Sequence, residues 1–390
     1  MARNVVQALD LGSSKIKAIV CERRTETGTL RVLGAGESFS AGMRRGGIVS
    51  AEILIPKIKE AAREAERTSG IPFRHAYVSF GSNALHFLKA RGRVAISRAD
   101  NEVGEYDVER LLKQSRPQSR MLQNRDVLES FGLSYNVDNE TDLKNPIGIK
   151  GENLEAEILF ITALSKSLKE FLAAIDTAGL IVDDVIPAPL ASGRTLLSRR
   201  QKEVGAAVLD IGAETASLGV FEENLPYSLE VFPFGSMHIT NDIALGFRIS
   251  LDEAEKIKIS FEPPESTAIA NRKLTDIVEA RMEDMFELVE GHLKKVGRAG
   301  LLPGGVVLTG GGAKLSGIKD FTRDTLRLPS ELGVCAELEA GHKLADPAWS
   351  ICLGLCLLAL DGEAGALGGN SRSPSVWKQK ILSWIRALVP

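Results

Sequence analysis

Asp10 and Asp210 stand two hundred residues apart, each at the same point of one local pattern. The first copy runs Val5-Val6-Gln7-Ala8-Leu9-Asp10-Leu11-Gly12-Ser13-Ser14-Lys15 and returns through Ile16 to Val20. The second runs Ala207-Val208-Leu209-Asp210-Ile211-Gly212-Ala213-Glu214-Thr215 and returns through Ala216 to Val220. Each is an apolar strand, an acid, a glycine turn and a returning strand. A glycine after a buried strand lets the backbone turn its N–H groups toward an anion, and the hydroxyls of Ser13, Ser14 and Thr215 add donors. Phosphate oxygens suit such a nest. The acids would repel phosphate directly, so they read as holders of a hydrated Mg²⁺, which keeps several waters and needs only one or two carboxylates. A lone Asp-X-Gly is also ordinary hairpin chemistry. Two facing copies, however, would clamp one nucleotide from both sides.

A third segment joins them. Gly304-Gly305-Val306-Val307-Leu308-Thr309-Gly310-Gly311-Gly312-Ala313-Lys314 is a buried strand running into three glycines and a helix start. Consecutive glycines are entropically costly and mark a backbone that must approach something closely. In order and spacing the three segments resemble the two phosphate motifs and the adenosine motif of the actin, Hsp70 and sugar-kinase superfamily. The resemblance implies ATP and Mg²⁺ as ligands. Gly12, Ser13, Ser14 and Lys15 would meet the β- and γ-phosphates from one side, and Gly212, Ala213, Glu214 and Thr215 from the other. Asp10 and Asp210 would orient the hydrated Mg²⁺, and Gly310, Gly311 and Gly312 would approach the α-phosphate and ribose. Glu255 and Lys258, three apart on one helical face, match the superfamily's adenine-side pair, although by residue type they read equally as a solvated salt bridge. Two departures bear on turnover. Ala188 stands where many relatives use Gln or Glu to position the attacking water, and the second loop has Ala213 and Glu214 where glycines are preferred. The expectation is ATP binding with slow hydrolysis at most.

The elements that must carry these loops are legible. A three-stranded meander ends at Leu30–Glu37, and the apolar spacing of Ile53–Arg67 predicts a helix stopped by Ser69-Gly70. A strand at Ala76–Phe80 follows, and the same order recurs after Gly205 with a helix expected over Met237–Ala244. A duplicated α/β fold with a ligand cleft between its halves is the expected architecture. At 390 residues with 44% hydrophobic and 25% charged residues, the chain has ordinary soluble composition and length for two lobes. A net charge of −3 supplies no global field for nucleic acid, so no nucleic-acid partner is expected. Cys21, Cys335, Cys352 and Cys356 form no Cys-X-X-Cys pair, and a reducing compartment fits them. The histidines form no metal pattern, no secretory leader is read at the N-terminus, and no apolar run is long enough to span a bilayer.

Between the halves, about Ser82 to Leu159 is more polar and turn-rich, with a strand expected at Gly92–Ile96 and a helix at Tyr106–Leu112. Asn145-Pro146-Ile147-Gly148-Ile149-Lys150-Gly151 here resembles a motif of FtsA, the bacterial divisome actin homologue. Matches continue at Ile186–Ser192, Asn241–Ala244 and Ala254–Lys258. The resemblance covers nearly the whole chain and implies a duplicated actin-like, ribonuclease-H-like, two-lobe fold with an inserted 1C-type subdomain. The implied division is lobe 1A over 1–81, completed by 160–200 and about 346–361; subdomain 1C over 82–159; lobe 2A over 201–233 and 301–345; and subdomain 2B over 234–300. A linker over 362–373 and an amphipathic helix over 374–390 complete it.

On a helical wheel Trp377, Ile381, Trp384, Ile385 and Leu388 fall within an arc of roughly 100°, with Lys378 and Lys380 flanking it, Arg386 behind it and no acid interrupting it. This suits an interfacial helix on an anionic membrane surface. Burying five large side chains yields about 7 to 15 kcal/mol gross, and ordering about a dozen residues costs as much. One tail therefore binds reversibly, while a filament of many tails holds by avidity. FtsA carries such a tail. The resemblance further implies self-association into filaments, binding of the acidic FtsZ C-terminal tail through 2B, contact with later divisome proteins through 1C, and location at the cytoplasmic face of the inner membrane at the septum. Arg281, Lys294, Lys295 and Arg298, on a helix expected from Leu274 to Arg298, are the candidate FtsZ contacts. A sugar kinase would share the phosphate turns but needs a catalytic acid and no membrane tail. An Hsp70-type chaperone needs a large further domain. A pilus-assembly actin-like protein is the nearest alternative.

Overall fold

A computed structural model describes residues 5–24, 28–115, 122–263, 267–339 and 342–362. Their contacts form two compact units, one of residues 5–86 with 166–357, the other centred on Phe87–Ser165.

The chain opens with strands β1 (Val5–Leu11), β2 (Lys15–Arg23) and β3 (Leu30–Phe39), an antiparallel meander, followed by a small hairpin of β4 (Met43–Arg44) and β5 (Gly47–Ile48). Helix α1 (Ala51–Ser69) buries Leu54, Ile58, Ala61, Ala62 and Ala65, the single stripe its spacing predicts, and Gly70 ends it at φ 69°. Strand β6 (His75–Phe80) then lies parallel to β1. The second unit follows: β7 (Leu85–Ala95), α2 (Glu105–Gln114), β8 (Arg125–Val137), β9 (Glu140–Leu143) and β10 (Asn153–Leu164), with sheet order β7-β10-β8-β9. Its core joins Val108, Leu111 and Leu112 of α2 to Leu154, Ile158 and Phe160 of β10. The strand expected at Gly92–Ile96 is the far end of a longer β7.

The chain returns through α3 (Ser165–Thr177), β11 (Ile181–Pro187), α4 (Ala188–Leu196) and α5 (Arg199–Val204). The second meander is β12 (Ala206–Ile211), β13 (Ala216–Glu222) and β14 (Leu225–Phe232). After it come α6 (Ser236–Phe247), α7 (Leu251–Ser260), α8 (Ala268–Lys295), β15 (Val306–Thr309), α9 (Ile318–Leu326), β16 (Ser330–Leu332) and α10 (Ser350–Leu360). The two large sheets have orders β11-β6-β1-β2-β3 and β14-β13-β12-β15-β16. Read from the meander edge they are one topology: three antiparallel strands, then two parallel ones beside the first. The duplication read from sequence is therefore a duplication of fold. It sets Asp10 and Asp210 at equivalent places, each one residue from the end of a central strand.

Helix α8 stops at Lys295 rather than reaching Arg298. Gly297 adopts φ 70° and its N–H bonds Lys294 O, while Arg298 N–H returns to Leu293 O, closing the helix. The four cysteines are free and buried. Among the described residues no helix is long and apolar enough to cross a membrane.

Candidate functional site

Register places Asp10 opposite Lys17 and Asp210 opposite Ser217. Both residues are buried, each 8% exposed. Ser79 Oγ, from the parallel strand β6, donates to Asp10 Oδ1 at 2.5 Å. Burial, then the charge of Asp10, pushes the Asp210 carboxyl up to about 7, with Lys17 opposing. Lys17 Nζ itself donates to Ala348 O at 2.5 Å and lies 5.8 Å from the Trp349 ring centroid. Two buried acids thus crowd each other, and Lys17 offsets only part of their repulsion.

The loops above this floor are held by the fold. Gly212 N–H donates to Thr215 O at 2.8 Å, and the first N–H groups of α6 hold the same loop, Ser236 to Gly212 O at 2.9 Å and Met237 to Ala213 O at 2.8 Å. In the first loop Ser14 O accepts from Ser40 N–H at 2.8 Å, and Lys15 pairs with Glu37 at 2.5 Å. The glycine run is anchored by Thr309, whose Oγ1 bonds Pro347 O and Ser350 Oγ, both at 2.9 Å. Gly310 takes φ 87°, and a Cβ there would lie 2.4 Å from Asp210 Oδ1. Gly311 opens a short 3₁₀ turn, and a Cβ on it would meet nothing within 4 Å.

All three segments converge on one cavity of about 530 Å³. Asp10, Gly12, Ser13, Ser14, Lys15, Asp210, Gly212, Ala213, Thr215, Glu255, Lys258 and Gly310 to Gly312 line it. Ala188, the first residue of α4, also reaches it and is buried. Glu214 does not line it, which corrects its expected place among the phosphate contacts. Glu255 and Lys258 do form a salt bridge, with the Glu255 side chain partly exposed and that of Lys258 buried. Their 2.7 Å pair belongs to a network in which Lys258, its side chain 9% exposed, donates to Thr240 Oγ1 at 3.0 Å and Ser236 O at 3.3 Å. Residues not expected from sequence join the lining, among them Lys17, Ser217, Ser236 and the ion pair of Lys314 with Asp346 at 2.6 Å. Lys17 could have been found by two-residue alternation from Lys15 on a strand. Asp346 carried no local signal.

This donor set fits a magnesium–nucleotide. The paired acids suit a hydrated divalent cation, backbone turns and hydroxyls suit phosphates, and the open face of Gly311 leaves room for close approach.

The expected FtsZ contacts are not one free basic face. Arg281 forks onto Asp242 with bonds of 2.5 and 3.1 Å, and Arg298 onto Glu222 with bonds of 3.0 and 2.6 Å while lying 4.3 Å from the Tyr227 ring centroid. Lys294 pairs with Glu290 of its own helix at 2.8 Å, and Lys295 is exposed. The two arginines are thus tied into the fold. Trp377, Lys378, Lys380, Ile381, Trp384, Ile385, Arg386 and Leu388 lie outside the described residues.

The sequence profile "Cell division protein FtsA" matches residues 207–354, and "SHS2 domain inserted in FTSA" matches residues 82–162. A cell division protein FtsA of Pseudomonas aeruginosa is 30% identical, with 99% of this chain and 97% of that one covered. The chain belongs to the FtsA family. Among solved structures, a PilM-PilN type IV pilus biogenesis complex superposes with TM-score 0.67 at 19% identity, covering 91% of this chain and 98% of that one. MreB5 of Spiroplasma citri, bound to ADP, superposes with TM-score 0.54 at 13% identity, covering 94% and 99%. These likenesses establish the actin-like fold that FtsA uses. The pilus protein shares that fold, while near-full-length sequence similarity lies with FtsA.

Proposed function

We propose that this FtsA-family chain binds Mg²⁺–ATP between its two lobes, assembles into filaments at the cytoplasmic face of the membrane at the septum, and tethers FtsZ there. The observation that carries the nucleotide reading is the convergence of two equivalent strand-turn-strand hairpins and a glycine run on one cavity. Asp10 and Asp210 would hold the hydrated cation, which neutralises phosphate charge when bound. The backbone of Gly12 to Lys15 would orient phosphates from one side, and Gly212, Ala213 and Thr215 from the other. Glu255 and Lys258, tied to Thr240 and Ser236, line the same cavity and would meet the adenine. At Ala188 a methyl group stands where a water-positioning side chain would act, so hydrolysis is slow at most.

Membrane attachment is assigned to residues 374–390, the interfacial pattern with two tryptophans and three basic residues. Deleting Val376 to Pro390 is expected to abolish co-sedimentation with anionic liposomes in the presence of Mg²⁺–ATP. Undiminished pelleting by the truncated chain would reject the tether, and a kinase reading predicts no lipid dependence in either chain.

For FtsZ, the acidic tail is assigned to the exposed end of α8 around Lys294 and Lys295, with later divisome proteins assigned to the inserted subdomain. The double charge reversal Lys294→Glu with Lys295→Glu is expected to lower affinity for an FtsZ tail peptide about tenfold without moving the melting temperature. Arg298→Glu, by contrast, is expected to melt lower because it strands Glu222 against a like charge and uncovers Tyr227. Equal peptide binding by the double variant in fluorescence anisotropy would dismiss this placement.

A further inference from the structure

Glu214 occupies a loop position where the superfamily prefers glycine, borders a phosphate nest, and yet leaves the cavity lining. Its carboxylate reaches a segment 169 residues away in sequence, where Oε2 accepts the backbone N–H of Arg45 at 2.6 Å. Arg45 and Gly46 form the tip of the β4–β5 hairpin, with φ of 50° and 72°. From that tip Gly46 N–H donates to Ser13 Oγ at 3.3 Å, and Gly46 itself lines the cavity. The tip is closely seated, since a Cβ on Gly46 would lie 2.6 Å from Gly81 O. One hairpin tip is thus bonded to the second phosphate loop through Arg45 and to the first through Gly46.

We propose that Glu214 is a positioning residue that clasps this hairpin tip across the cleft, fixing Ser13 and both phosphate loops around the nucleotide and so retarding its release. The inference rests on the nucleotide reading of the cavity. A carboxylate beside phosphate would repel it. Bonded to a backbone N–H, the same charge is turned aside and satisfied, and it replaces the flexibility of a glycine with a cross-cleft tie. The acceptor bonds the main chain, so the exposed side chain of Arg45 is not part of the clasp.

Stopped-flow measurement of a fluorescent ATP analogue with Mg²⁺, using the full chain, tests this. Glu214→Ala is expected to release nucleotide about ten- to hundredfold faster, the scale of one charge-assisted hydrogen bond, with its association rate unchanged. Glu214→Gln, which keeps an acceptor oxygen, and Arg45→Ala, which keeps the main-chain donor, are expected to stay near the wild-type release rate. Release from Glu214→Ala at the wild-type rate overturns the clasp, and slower release overturns it in favour of a carboxylate that repels phosphate. Fast release from Glu214→Gln or Arg45→Ala also overturns it. A wild-type chain that binds no nucleotide would instead overturn the reading of the cavity itself.

Discussion

Asp210→Asn is expected to melt higher than the wild type in the absence of ligand, and to lose magnesium-dependent nucleotide binding. An unfolded aspartate titrates near 3.9, whereas the folded Asp210 is held near 7 by burial and the facing charge of Asp10. Between those values the native chain keeps a proton that the unfolded chain has released. Native stability from this group therefore falls as pH rises from about 4 to about 7 and levels off above. The amide never ionises and escapes the penalty. Its advantage should be absent near pH 4, grow through neutrality, and reach roughly 2 to 4 kcal/mol by pH 8.

A bound cation reverses the comparison. With Mg²⁺ bound as proposed, the Asp210 carboxylate would ionise favourably, so Mg²⁺–ATP is expected to raise the wild-type melting temperature by mass action. The asparagine variant would lack one of the two proposed anionic anchors and gain little. Melting curves at pH 5 and pH 8, with and without Mg²⁺–ATP, read both effects. A variant that melts below the wild type at pH 8, or that gains as much from Mg²⁺–ATP, would show that these acids are neither crowded nor cation-binding.

The duplicated scaffold was legible because strand-turn-strand hairpins are local objects. The apolar runs Ala8 to Leu11 and Ala207 to Ile211, each ended by a glycine at Gly12 and Gly212, set strand, acid and turn without reference to the rest of the chain. The return strands pair in register with their partners for the same reason. What stayed hidden depends on distant packing. Asp346 and Trp349 reach the cavity from a segment with no repeat or motif, and the direction of Glu214 is set by a hairpin tip far away in sequence. Ser79 is intermediate: a hydroxyl in the apolar run Tyr77-Val78-Ser79-Phe80 signals a buried partner, but only the parallel pairing of β1 with β6 reveals that the partner is Asp10. Arg281 and Arg298 show the same dependence: read from sequence as part of one basic face with Lys294 and Lys295, each turns to an acid on another element.

Gly310→Ala and Gly311→Ala should separate the architectural from the ligand-facing part of the glycine run. At Gly310 the backbone is left-handed, and an added Cβ would sit 2.4 Å from Asp210 Oδ1 and 2.5 Å from Ile211 O. The Ile211 carbonyl is held by the backbone of β12, whose Ile211 pairs with Ala216, so the overlap there is not relieved by a side-chain rotation. Positive-φ strain and overlap together should cost about 3 kcal/mol or more. A sharp drop in melting temperature or failure to fold is expected. One residue on, the same methyl group meets nothing within 4 Å in the protein, while Gly311 borders the cavity. Gly311→Ala should therefore melt like the wild type and bind nucleotide about tenfold more weakly, since the new methyl group occupies space that the ligand must share. Thermal melts and titration with a fluorescent nucleotide give the two readings. Unaltered affinity in Gly311→Ala would mean that the glycine run serves loop geometry alone; preserved stability in Gly310→Ala would mean that the turn beside Asp210 is not the rigid wall that the cavity requires.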